Sequence, residues 1–110
     1  MTEERIQKIE SAVEAADHIP VEKKAELLGL LGKLKPAIAK VAHTHADDAQ
    51  SIGRFIEASA HEAARREKRP HLLQKVLREL KQSVEKFEAS HPDLAAFVNR
   101  YSTLLSALGF

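Results

Sequence analysis

Six histidines and sixteen acidic residues are what this chain of 110 has for acid-base or metal chemistry, and their spacing decides which is feasible. At 100° per residue along a helix, His43, Asp47, Gln50, Arg54, Glu57 and His61 share one face, several of them at the i, i+4 separation where side chains meet. Histidine and carboxylate one turn apart suit a metal ion. A wholly polar stripe equally suits a solvated outer face with weak ion pairs, which is the expectation here. His45 and Asp48 are more informative, because they fall on the stripe that carries Ile38, Val41 and Ile52. An unpartnered buried polar group costs roughly 1–3 kcal/mol, so residues in such places have a partner or a purpose. Three readings stand for this pair. The preferred one is that they hydrogen-bond each other or a neighbouring chain and fix the register of a bundle. In the second they hold a divalent ion such as zinc between two copies. In the third a kink at Pro36 turns both into water.

Other chemistry finds little support. Ser83, Ser102, Thr103 and Ser106 have no neighbouring His and Asp pattern, and no glycine-rich loop precedes a helix to cradle phosphate. Glu88-Ala89-Ser90-His91 is the one Glu-x-x-His in the chain, where a di-iron bundle needs two. Neither enzymatic activity nor a cofactor is expected. Residues 65–81 hold seven of the seventeen basic residues, Arg65, Arg66, Lys68, Arg69, Lys75, Arg78 and Lys81, in a chain of net charge +1. They could contact phosphates or an acidic partner, but cations closing a helix C-terminus and lining a solvated face explain them as well. No aromatic residue is interleaved for base stacking, so nucleic acid is not an expected partner.

The elements that position these residues follow from hydrophobic spacing. Apolar residues recur every three or four positions and never in strict alternation, which predicts an all-α fold: an antiparallel helical bundle with one long central helix and a C-terminal helical hairpin. The first helix spans 2–17, with an N-cap at Thr2 and the stripe Ile6, Ile9, Val13, Ala16; His18-Ile19-Pro20 ends it. From 21 to 66 a heptad seam runs Leu27, Leu31, Leu34, Ile38, Val41, His45, Asp48, Ile52, Phe55, Ser59. Pro36, at about 3 kcal/mol in a helix interior, with Gly29 and Gly32 at about 1 kcal/mol each, predicts a kink or break near 33–37. A merely bent helix of about 46 residues would be roughly 69 Å long, too long for a domain of this size to cover. The seam residues Leu27, Leu31, Leu34, Ile38, Val41, Ile52 and Phe55 are therefore expected to meet a second copy, in a dimer by preference. Two further helices, 71–89 and 91–108, form the hairpin, with Ser90 and Asp93 as a capping box and Gly109 as a stop. Phe55, Phe87 and Phe97 sit at core spacing, and Phe110 either packs on the last helix or enters a partner.

A composition of 44% hydrophobic and 30% charged residues without cysteine fits one folded domain in a reducing compartment, the cytoplasm. The opening Met1-Thr2-Glu3-Glu4-Arg5 lacks the basic-then-apolar order of a secretory signal, and no apolar run approaches 18 residues, so neither export nor a membrane is expected. Several segments are similar to a small bacterial family. They are Thr2–Glu10, Lys24–Leu28, Thr44–Ile52, Ser59–Ala63, Phe87–Pro92 and Leu108–Phe110. The chain thereby resembles, over essentially its whole length, the domain of unknown function numbered four-four-zero-four. That resemblance implies a bacterial origin and a small helical protein, and it carries no functional residues. Taken together, the expected function is that of a non-enzymatic, self-associating interaction module. The alternatives are a metal-binding bundle with inter-chain His and Asp, and a binder of nucleic acid or an acidic partner through 65–81.

Overall fold

The computed structural model describes residues 2–16, 19–65 and 67–108, with side chains from Glu4 onward. These residues form the helices α1 (Thr2–Ala15), α2 (Val21–Ala42), α3 (Ala46–Ala63), α4 (Pro70–Glu85) and α5 (Pro92–Leu108). The fold is all-α. Each helix is amphipathic at a 3.6-residue period, so each turns one stripe inward: Ile6, Ile9 and Val13 from α1, Leu73, Leu77, Leu80 and Val84 from α4. No described helix is long and apolar enough to cross a membrane.

Connections of three to six residues join the helices from α2 onward, which favours antiparallel neighbours. Cross-helix contacts confirm the directions. Lys40 reaches Asp93 while Lys33 lies over Phe97, so α2 and α5 run oppositely. Asp48 pairs with Lys86 while Glu62 pairs with Arg69, so α3 and α4 do too. The helices α2, α3, α4 and α5 close a four-membered ring, and α1 lies along the outer groove between α2 and α3. Arg5 meets Glu57 of α3 and Glu10 meets Lys35 of α2, which ties α1 to both.

The central region departs from the sequence expectation. Helix α2 runs unbroken through Pro36, and the chain turns instead at His43-Thr44-His45. Pro36 is exposed, and so is Gly32, the residue four before it whose carbonyl loses its amide donor. Water can satisfy that carbonyl, and glycine lets it swing clear of the proline ring, so neither a break nor a buried orphan results. At the turn the amides of Thr44 and His45 both donate to the Val41 carbonyl, at 3.2 and 2.7 Å. Asp47 and Asp48 then occupy the first turn of α3, where the helix dipole favours acidic residues.

That turn folds the long seam onto itself. Leu27, Leu31, Leu34, Ile38, Val41 and Ile52 are all at most 2% exposed and belong to one core built entirely within the chain. Phe55 is half-buried against the same core. A helix of roughly 69 Å gives way to a molecule whose longest extent is 38 Å. The reason for assigning the seam to a second copy is therefore removed. Helix ends differ in smaller ways: α1 stops at Ala15, α3 at Ala63 and α4 at Glu85, each earlier than expected. The Thr2 side-chain cap, the expected end of the first helix at Asp17 and His18, and Arg66, Gly109 and Phe110 lie outside what the structure describes.

Candidate functional site

The stripe from Asp47 to His61 faces water. Asp47, Gln50, Arg54 and His61 are exposed, and Glu57 is half-buried through its 3.1 Å ion pair with Arg5. His43 sits in the turn and not on α3, so it does not share a helix with Asp47.

His45 and Asp48, expected on a buried stripe, are displaced from it by the same turn. His45 is exposed, its Nδ1 2.8 Å from the Thr44 hydroxyl and its ring edge-on to Phe87 at 5.3 Å. Asp48 is half-buried and accepts from the Lys86 ammonium at 2.7 Å. The two are held by different partners, so within one chain they neither bond each other nor converge as a ligand pair. Among the described residues no group of three or more His, Cys, Asp or Glu is arranged to hold a metal ion. His91 also meets Phe87 edge-on at 5.8 Å, so the Phe87 ring joins the two turns at this end of the bundle.

A buried polar pair does exist, further along α3. Ser59 and Tyr101 are both fully buried, with oxygens 2.9 Å apart. Both oxygens also lie within donating distance of the Ile56 carbonyl, Tyr101 at 2.9 Å and Ser59 at 2.8 Å, so two hydroxyl protons serve three contacts and at least one of them goes to that carbonyl. Burial pushes the Tyr101 phenol well above its ordinary value, with the Ser59 hydrogen bond acting more weakly the other way. This pair joins α3 to α5 across the bundle and fixes their relative register. Ser59 stands on the predicted seam and Tyr101 at core spacing, but nothing local in the sequence pairs them.

The basic segment divides in two. Arg69 makes a two-point contact with Glu62 at 3.0 and 3.3 Å, and Arg65 lies 3.9 Å from the same carboxylate. Lys68 donates to the Ala63 carbonyl at the end of α3, and desolvation there lowers its ammonium below the ordinary value. These three close a helix C-terminus, where cations meet the dipole favourably. Lys75, Arg78 and Lys81, by contrast, are exposed on α4.

Of the surface concavities, the most voluminous, about 750 Å³, lies between α2 and α5, and two others border residues named above. A mainly apolar groove of about 570 Å³ lies between α1 and α4, floored by the alanines of α3 and overhung by Leu72. Leu72 is 40% exposed, one of two large apolar residues so exposed among the described residues. A more polar cleft of about 350 Å³ lies between α4 and α5, bordered by Arg78 and Lys81.

Among the described residues, fold and surface together define an up-and-down all-α bundle of five helices with several shallow surface grooves. No protein-family model matches the chain, and no curated protein or solved structure matches it.

Proposed function

We propose that the protein is a non-enzymatic helical module that associates with a second copy of itself through the groove between α1 and α4. The observation that carries this reading is Leu72 standing over an alanine-lined hollow. A two-fold interface uses one patch on both partners, so the patch must contain its own complement. This one holds a projecting leucine and a floor of small residues, Ala12, Ala58 and Ala64, into which such a side chain fits. It also carries both signs of charge, with Arg54 at one end of the α3 strip and Glu62 two turns further on. The internal coverage of the Leu27–Phe55 seam moves the contact from that seam to this groove. Absence of cysteine supports a cytoplasmic setting, and similarity of the Phe87–Pro92 segment to the family described above supports a bacterial one.

Sedimentation velocity at tens of micromolar tests the reading. The wild-type chain should sediment as a dimer and the Leu72→Asp variant as a monomer with unchanged helical content, since Leu72 contributes little to the core. A monomeric wild-type chain at that concentration, or an undisturbed dimer in Leu72→Asp, would refute it.

A further inference from the structure

His61 stands on the wall of the groove between α1 and α4, in the last turn of α3 and among the apolar side chains of Ile9, Val13, Leu72 and Val76. In the single chain it is exposed, so its imidazole exchanges protons with water. A second copy seated on the groove takes that ring out of water. Histidine is the side chain that ordinarily changes charge between pH 5 and 8, and removal from water disfavours a charged form. The surrounding charges act in the same direction. Lys8 comes from α1 and Arg54 from α3, neither in an ion pair among the described residues, while α4 lines the groove with Leu72 and Val76. The two carboxylates of the groove already have cations: Glu57 meets Arg5 at 3.1 Å, and Glu62 meets Arg69 at 3.0 Å with Arg65 at 3.9 Å. The carbonyl end of α3 would itself favour a cation, but Lys68 already donates to the Ala63 carbonyl there. A proton on His61 therefore adds to a local surplus of positive charge, and a two-fold contact contains that surplus twice.

We infer that His61 makes self-association depend on pH: two copies join through the groove while its imidazole is neutral and part when it is protonated. Protonation acts in this way only where the groove is the contact between copies, as proposed above. Association then expels a proton from each copy, and acid opposes it at two rings at once. Other groups do not supply the same response. Carboxylates ordinarily titrate at about pH 4, below this interval. His43, His45, His71 and His91 do not line the groove.

Sedimentation equilibrium of the full chain at about pH 8 and about pH 5.5, in the same salt, tests the switch. The dissociation constant of the wild-type dimer should rise at least tenfold at the lower pH. His61→Gln, which cannot take up the proton, should associate equally at both. His61→Lys carries a fixed charge and should be at least tenfold weaker already at the higher pH. His71→Gln, beside Leu72 but outside the groove lining, should keep the wild-type response. Unfolding in acid would affect His61→Gln as well, so it cannot imitate this pattern. A wild-type dimer equally tight at both pH values, or a wild-type response in His61→Gln, would overturn the switch and leave the groove contact standing. A wild-type chain that is monomeric at the higher pH would overturn both.

Discussion

At its first turn α3 holds Asp48 against Lys86 at the protein surface, and three turns later the same helix holds Ser59 in full burial against Tyr101. Both residues lie on the seam drawn from the sequence, yet one pair is wet and the other dry. The difference comes from their neighbours. Around position 45 the chain reads His43-Thr44-His45-Ala46-Asp47-Asp48, polar on every side of a helix, so nothing there rewards burial and the chain turns. Ser59 is flanked by Ile56, Ala60 and Ala63, which pull its whole face inward and leave one small hydroxyl to be satisfied. A polar residue on a seam is informative only together with the residues that share its turn.

The contrast can be broken at its dry end first. Replacing Tyr101 with alanine should cost about 3–5 kcal/mol, because a fully buried aromatic ring leaves a cavity beside the Ser59 contact; equilibrium urea unfolding gives the value. Tyr101→Phe keeps the ring and removes one donor, so about 1–2 kcal/mol should be lost, Ser59 still bonding the Ile56 carbonyl. Alkaline pH sharpens the same point. An unfolded tyrosine ionises near pH 10 while buried Tyr101 stays neutral, so the unfolded state binds fewer protons and stability falls as pH rises above about 10. That component, up to about 1.4 kcal/mol per pH unit, should vanish in Tyr101→Phe when stability is compared across pH 9–12. The wet end should respond least. Asp48→Ala removes a part-exposed ion pair, and about 0.2–1 kcal/mol should be lost at low salt and nearly nothing in high salt. A loss as large as that for Tyr101→Phe would mean that the two ends of α3 are not different in kind.

Much of the fold was legible from spacing. Ile6, Ile9 and Val13, the leucines of α2, and the stripes of α4 and α5 all face the core that the period assigns them. The aliphatic positions of the seam are buried as their spacing predicts while His45 and Asp48 are not, and its cover comes from the same chain, because one residue pattern serves a long helix and a folded hairpin alike. At the centre, Pro36 lies within an unbroken α2. Its cost of about 3 kcal/mol holds in exposed helix interiors too, and the buried Leu34, Ala37, Ile38 and Val41 on either side of Pro36 offset it by packing. The Ser59–Tyr101 pair was beyond local patterns, since its partners are 42 residues apart and meet only once the ring of helices closes.

The order in which α2 to α5 neighbour one another has a consequence for time. Each helix packs on the next along the chain, and the closures between helices not adjacent in sequence are α5 returning to α2, α3 meeting α5 and α1 lying on α3. Chains wired in this way bring their partners together across short loops, and such topologies reach the native state in microseconds to milliseconds. The turn at 43–45, by halving what would have been a single rod, places the first of those quick encounters in the middle of the polypeptide.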